Sequence, residues 1–203
     1  MTSTHFRTVW QAAMALTVIG PMTGCSVSVG GEAIGSQEES ICAGCAPTVP
    51  PVLAVPDGNQ LAFHLDALGV QIYGCQSLPT GFAWVFSAPE AQLFNRGGHV
   101  VGKHYAGPTW EAKDGSKVVG TKLAAFVSDP KSIPWLLLGA KSHEGSGRMS
   151  DVTFIQRLDT AGGLAPSTGC DVDHVGAVAR VDYAATYFFY EASEDHPEDE
   201  DAK

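Results

Sequence analysis

The fold class is decided by the stretch Val178-Ala179-Arg180-Val181-Asp182-Tyr183-Ala184-Ala185-Thr186-Tyr187-Phe188-Phe189-Tyr190. Aromatic and β-branched residues favour an extended strand, in which successive side chains point to opposite faces. One face of this stretch carries Tyr183, Tyr187 and Phe189, and the other carries Phe188 and Tyr190. A strand with apolar groups on both faces is usually covered on both sides. The stretch therefore predicts a central strand of a β-sheet protein.

Shorter stretches of strand-forming residues recur along the preceding sequence. The predicted strands cover residues 61–65, 70–75, 83–86, 92–94, 100–105, 117–127, 135–140 and 152–158. Asn95-Arg96-Gly97-Gly98 should reverse the chain, and Lys113-Asp114-Gly115-Ser116 should form a tight hairpin because Asp-Gly supplies positive φ angles. A helical turn is expected only near residues 89–93. The pattern predicts a single antiparallel all-β domain, a sandwich or a barrel, with short turns and little helix.

The first 24 residues have the pattern of an export signal. Arg7 precedes an apolar run over residues 10–19, which is too short to span a bilayer. Gly24 and Cys25 then resemble the lipobox of bacterial lipoproteins, in which the cysteine is acylated. The pattern predicts an exported protein anchored by a lipid on Cys25, on the periplasmic or cell-surface side of a bacterial membrane. An ordinary cleaved signal is the alternative, because Met22 stands where the lipobox usually has Leu.

The rest of the chain divides into a tether, a domain and a tail. Residues 25–56 are rich in Gly, Ser and Pro and predict a flexible tether, residues 57–192 are the size of one domain, and the acidic residues 193–203 predict a disordered tail. The formal net charge is −10. Because nucleic acid binding needs a cluster of Lys or Arg, and the sequence has none, no nucleic acid partner is expected.

Four cysteines follow Cys25, namely Cys42, Cys45, Cys75 and Cys170. In an oxidising compartment they allow three pairings. The favoured disulfide joins Cys75 to Cys170, because both lie inside the predicted domain and a bridge that closes so long a loop stabilises strongly in the chain-entropy model. Cys42 and Cys45 then form a second pair or stay reduced.

Several motifs, in a fixed order, resemble one protein family. They include Gly69-Val70-Gln71-Ile72-Tyr73, Gly102-Lys103-His104-Tyr105-Ala106-Gly107-Pro108-Thr109-Trp110, Ile133-Pro134-Trp135, Val152-Thr153-Phe154-Ile155-Gln156-Arg157-Leu158 and Tyr183-Ala184-Ala185-Thr186-Tyr187-Phe188-Phe189-Tyr190. Together they are similar to the secreted bacterial and fungal family called domain of unknown function DUF3455, over residues 61–190. The resemblance implies an exported single-domain protein. It implies no activity, substrate or catalytic residue.

Candidate ligand-binding residues concentrate around His104 and Trp110. Flat aromatic faces beside polar groups suit sugars or small amphiphiles. Trp110 is the favoured contact because it follows Gly107-Pro108, which is a loop signal. The predicted ligand-binding residues are Tyr73, His104, Trp110, Glu111, Asp114, Lys117 and Trp135.

Three other chemistries have weaker patterns. His104, Asp114 and Ser116 are the residue types of a hydrolytic triad, but Ser116 is not in a GxSxG motif. Glu90 and Glu111 are the types of a glycosidase pair, whose separation the sequence leaves open. No HxH or HExxH spacing fixes two metal ligands, so neither a metal nor a cofactor is expected.

These patterns favour a membrane-anchored module that binds a small molecule, a carbohydrate or a component of the cell envelope. The alternatives are an enzyme acting on carbohydrate or another small envelope substrate, and a structural envelope protein.

Overall fold

A computed structural model describes residues 46–193, which form a closed barrel of antiparallel strands. The strands are β1 (Asn59–Leu78), β2 (Gly81–Phe94), β3 (Val100–Tyr105), β4 (Thr109–Ala112), β5 (Lys117–Phe126), β6 (Trp135–Glu144), β7 (Val152–Gly162) and β8 (Val178–Ala192). Each strand pairs with the next, and β8 pairs with β1 to close the ring. The predicted all-β fold is confirmed, and of the two arrangements left open the structure has the barrel.

Helix is limited to two short 3₁₀ segments, Pro51–Leu53 and Val172–His174. Within residues 46–193 there is no helix with the length and apolar character needed to cross a membrane.

The connections lie at two ends of the barrel. We call the end that carries the connections after β1, β3, β5 and β7 the upper end, and the other the lower end. The turn at residues 95–98 joins β2 to β3, and the turn at residues 113–116 joins β4 to β5, as predicted. In the second turn Gly115 has a φ of 88°, and the Asp114 carboxylate accepts a 2.8 Å hydrogen bond from the Ser116 N–H.

Strand β8 packs against other residues on both of its faces, as its sequence predicted. Tyr187 and Phe189 point into the barrel and are buried there. On the outer face Phe188 packs beside Leu53, and the Tyr190 hydroxyl donates to an oxygen of Gln156.

Residues 46–56 pack against the outer face of the barrel at β8. Leu53 is fully buried against Leu137 and Leu158, and its backbone oxygen accepts a 2.7 Å hydrogen bond from Gln156 Nε2. The sequence assigned these residues to the end of the tether, because one apolar anchor in a Pro-rich stretch creates no periodic pattern. The packed part of the chain therefore starts before the predicted boundary at residue 57.

Some strand boundaries differ from the prediction. β1 and β2 are each one long strand where the sequence predicted two, and residues 89–93 continue β2 instead of forming a helical turn. A bulge between Ile72 and Tyr73 keeps the two strands paired as they curve. Pro89, which has no N–H to donate, lies opposite Gln71 beside this bulge. The short strand β4 was missed because it follows a loop signal directly.

A disulfide joins Cys75 to Cys170, as predicted. It links β1, near the upper end, to the long connection between β7 and β8. Cys25, Cys42 and Cys45 lie outside the described residues, together with the signal segment, most of the tether and residues 194–203. The lipid anchor and the second cysteine pair stay predictions.

The two halves of the barrel interior differ in filling. Apolar side chains close the lower half, among them Phe63, Leu65, Leu93, Met149 and Phe189. The wall is tight at Gly69, where a Cβ atom would lie 2.1 Å from the Glu90 backbone oxygen. The upper half carries polar groups and opens into a pocket.

Candidate functional site

A pocket of about 360 Å³ lies in the upper half of the barrel. This volume is typical of sites for small molecules, and an eight-stranded barrel is wide enough inside to hold one small ligand. Part of the lining is apolar, from Phe86, Pro89, Pro108, Trp110, Leu136 and Leu138. The remaining lining includes His104 and several side chains that can donate hydrogen bonds.

His104 lies in the pocket wall, near the upper end of β3. Its Nδ1 is 2.8 Å from the Thr109 backbone oxygen. Because a carbonyl oxygen accepts, Nδ1–H is the donor and Nε2 carries no proton. Burial of the ring is the main cause that lowers the pKa of His104 from 6.5 to about 3. The imidazole is therefore neutral at physiological pH.

Trp110 packs face to face on His104, with ring centroids 4.4 Å apart and planes 17° apart. The indole is 1% exposed and belongs to β4, whereas the sequence suggested a loop. Gly120 on β5 leaves space for the ring, since a Cβ atom there would lie 2.9 Å from Trp110 Cζ3. The indole Nε1–H is buried without a hydrogen-bond partner among the described residues.

Gln71 supplies a second buried donor. It follows Ala67 and Gly69 on the inner face of β1 and is 2% exposed. Its Nε2 has no hydrogen-bond partner within residues 46–193. A buried N–H without a partner costs about 1–3 kcal/mol. The pocket therefore holds two buried donors whose hydrogen-bonding capacity the described residues leave unused.

Lys122 and Arg157 bring positive charge to the pocket, and its lining contains no Asp or Glu. Arg157 donates to the Pro134 backbone oxygen from Nε at 3.2 Å and from Nη2 at 2.8 Å. These bonds fix the guanidinium and use two of its five N–H groups. Burial raises the pKa of the Tyr187 hydroxyl in the pocket, and the charge of Arg157 partly opposes that rise.

Glu111 and Lys117 lie on the outer face of the barrel. Glu111 accepts a 2.8 Å hydrogen bond from the Tyr105 hydroxyl, which is the main cause of its lowered pKa, and it lies 3.2 Å from Lys103 Nζ. Lys117 Nζ is 3.0 Å from an oxygen of Glu144. Both residues are engaged in surface ion pairs, away from the pocket.

Asp114 lies at the lower end, opposite the pocket. Its carboxylate accepts a 2.8 Å hydrogen bond from the Arg148 N–H, the main cause of its lowered pKa, and further bonds from Ser116. Asp114 thus ties its turn to the connection between β6 and β7.

Tyr73 and Trp135 complete the predicted set. The Tyr73 hydroxyl donates to the Gly163 backbone oxygen at 2.6 Å, and its ring meets the edge of Phe86, a lining residue. Trp135 packs in the outer cluster with Leu53. Of the predicted residues, the structure therefore places His104 and Trp110 in the pocket and Tyr73 beside it.

The hydrolytic arrangements are not assembled. Asp114 and Ser116 bond to each other in the lower turn, while His104 lies in the upper pocket. Glu90 pairs with Arg180 at 2.9 Å, whereas Glu111 pairs with Lys103 at 3.2 Å, so each carboxylate is engaged with its own cation. In the part of the chain that the structure describes, no group of three or more His, Cys, Asp or Glu side chains is placed to hold a metal ion.

Sequence reasoning did not assign Gln71, Lys122 or Arg157 to the site. The signal for Gln71 and Arg157 is strand parity, since Gln71 shares an inner face with Ala67, and Arg157 follows the buried Ile155 by two residues. Polar side chains at inner positions of a barrel face the lumen. The signal is usable only once the sheet is known to close.

Comparison with known proteins gives one match. The model of a family described as protein of unknown function (DUF3455) matches residues 56–191, which include all but the last residue of the barrel strands. No curated protein and no solved structure matches the chain.

Proposed function

The chain belongs to the DUF3455 family, and we propose that it binds a small molecule in the upper pocket of its barrel. The observation that carries this proposal is the pair of buried N–H donors, Gln71 Nε2 and Trp110 Nε1, without partners around a cavity of about 360 Å³. A ligand that accepts hydrogen bonds from both would remove their cost. The apolar lining would supply most of its contact area.

Binding is favoured over catalysis by the chemistry of the lining. The pocket is lined by no Asp, Glu or Cys. A general acid or base works best with a pKa near the working pH, whereas the pKa of His104 is about 3. The same ring also holds a fixed hydrogen bond to Thr109 through Nδ1.

The binding proposal is tested by thermal unfolding of the mature protein against a panel of organic acids, sugars and lipids. A ligand at one hundred times its dissociation constant should stabilise the protein by about 2.7 kcal/mol. In Ser87→Phe, a bulky ring replaces a small, exposed lining residue, so the stabilisation should disappear. Ser142→Phe is the matched control, because this exposed residue of β6 does not line the pocket.

Two results would contradict the proposal. Hits that bind Ser87→Phe as tightly as the original protein would locate the ligand elsewhere. A panel without any hit would favour a structural role in the envelope.

We also propose that the domain acts outside the cytoplasm, held on a membrane by a lipid on Cys25. The Cys75–Cys170 disulfide supports an oxidising compartment. Cys25→Ala should release the protein from membranes or leave an unprocessed precursor, whereas the control Cys42→Ala should stay membrane-bound. Unchanged membrane fractionation of Cys25→Ala would refute the anchor.

A further inference from the structure

The two fully buried side-chain groups of the pocket that lack a partner among the described residues are both donors. An indole N–H can only donate, and the amide nitrogen of glutamine likewise only donates. Trp110 is 1% and Gln71 2% exposed, so water reaches neither group freely. A ligand atom that faces them must therefore be an acceptor.

The charge of the pocket also favours a ligand that accepts hydrogen bonds. Lys122 and Arg157 contribute positive charge to the lining, although the whole chain carries −10. Neither side chain forms an ion pair with any residue in the range 46–193. The bonds that Arg157 makes go to a neutral carbonyl, Pro134 O, so its charge is not compensated. An anion would supply both the missing charge and the missing acceptors.

Most of the other lining residues are apolar, beside Ser87, His104 and Tyr187. Phe86, Pro108, Leu136 and Leu138 face the same cavity as the donors. These side chains offer no polar groups to a highly hydroxylated ligand, but they can cover rings or short aliphatic chains.

From these features we infer that the pocket selects small organic anions. An acidic head, such as a carboxylate or sulfonate, accepts from Gln71, Trp110 and Arg157, and an apolar body fills the rest of the cavity. The inference rests on the proposed function and names its ligand class. It disfavours neutral carbohydrates, which the sequence alone also allowed.

Two dyes that differ by a single charge test this selection. They are 8-anilino-1-naphthalenesulfonate and N-phenyl-1-naphthylamine, which share one ring system and fluoresce in apolar sites. The mature protein should bind the sulfonate at least about tenfold more tightly than the neutral dye, a difference of about 1.4 kcal/mol. Ser87→Phe should abolish both signals, which places the dyes in the pocket.

Variants that remove one positive charge then show which residues cause the preference for the sulfonate. Lys122→Gln and Arg157→Gln should each weaken the sulfonate about tenfold while changing the neutral dye less than about twofold. Arg157→Lys should recover part of the loss, and Lys113→Gln, at an exposed cation of the lower turn, should change neither dye. Because Lys122 is exposed, its variant keeps the test available even if an Arg157 variant folds poorly.

The outcomes distinguish a failure of the anion inference from a failure of the proposed function. Equal affinity for the two dyes, or sulfonate binding that survives loss of both cations, would overturn the anion inference and leave pocket binding intact. Failure of both dyes, together with an empty ligand panel, would overturn the proposed function itself.

Discussion

His104 and Trp110 stack inside the barrel wall with ring centroids 4.4 Å apart, and the residue before Trp110 accepts the hydrogen bond from His104. The short strand β4 therefore holds the histidine through Thr109 and covers it through Trp110. Burial against Trp110 favours the uncharged ring because it excludes water, and this effect outweighs the hydrogen bond to Thr109, which selects the Nδ1–H tautomer but by itself raises the pKa. An uncharged histidine is thus part of the folded structure.

The stability of the protein is expected to fall as the pH falls below 6.5. The pKa of His104 is about 3 in the folded state, lowered from 6.5 chiefly by burial. Between these values the unfolded chain binds a proton that the folded chain does not. The stabilisation that comes from the uncharged His104 is complete above pH 6.5. It is lost toward pH 3, and the unfolding free energy falls by up to about 1.4 kcal/mol per pH unit.

Urea unfolding at about pH 7.5 and pH 5.0 measures this slope. His104→Phe keeps an aromatic ring against Trp110 and cannot titrate. The slope of its unfolding free energy against pH should therefore be smaller than that of the original protein, by the amount that corresponds to roughly one proton. An equal pH dependence in the two proteins would show that His104 is not the group responsible.

Leu53→Ala should destabilise the barrel by about 2–5 kcal/mol, because Leu53 is fully buried between the N-terminal segment and the barrel wall. The neighbouring Val52 is 53% exposed, so Val52→Ala should cost less than about 0.5 kcal/mol. The two variants are compared by their urea midpoints, provided that the slope of unfolding free energy against urea concentration is the same in both. Two variants of equal stability would mean that residues 46–56 do not hold the barrel.

Gly120→Ala should disturb the wall of the pocket. The added Cβ would lie 2.9 Å from the Trp110 ring and 3.4 Å from Leu138, and overpacking of this kind costs about 1–3 kcal/mol. The near-ultraviolet circular dichroism of the indole should change with it. Gly74→Ala is the control, because nothing lies within 4 Å of a Cβ at Gly74. An unaltered spectrum in Gly120→Ala would refute the close packing.

Loss of the disulfide should lower stability without changing the fold. The Cys75–Cys170 bridge spans 95 residues, so the chain-entropy model gives a loss of about 4–5 kcal/mol for the double substitution to Ala. The original protein in dithiothreitol should unfold at the same urea concentration as the double variant. A loss below about 1 kcal/mol in both would show that the bridge adds little to the barrel.

The strands and turns were predictable where local chemistry decides them. The alternation in β8 and the Asp-Gly turn at residues 113–116 depend on neighbours in sequence, and both appear in the structure. Strand β4 was not found, because the loop signal at Gly107 and Pro108 ends one residue before the strand begins. Local signals therefore identified the fold class but not every element.

The pocket needed information that a local pattern does not contain. Gln71, Lys122 and Arg157 lie on β1, β5 and β7, and closure of the sheet brings them to one cavity. Conversely, Trp110 and Glu111 are adjacent in sequence but point to opposite faces of β4, so the predicted cluster was divided between lumen and surface.

The pairing of β8 with β1 has a consequence for crowded surfaces. An open sheet exposes unpaired backbone groups that another copy can extend into an aggregate, whereas here the two outermost strands satisfy each other. Copies held at high density could therefore not pair along the seam between β1 and β8, and the backbone they could still reach lies where a long strand runs past a short neighbour, as β2 does past β3 over residues 81–90.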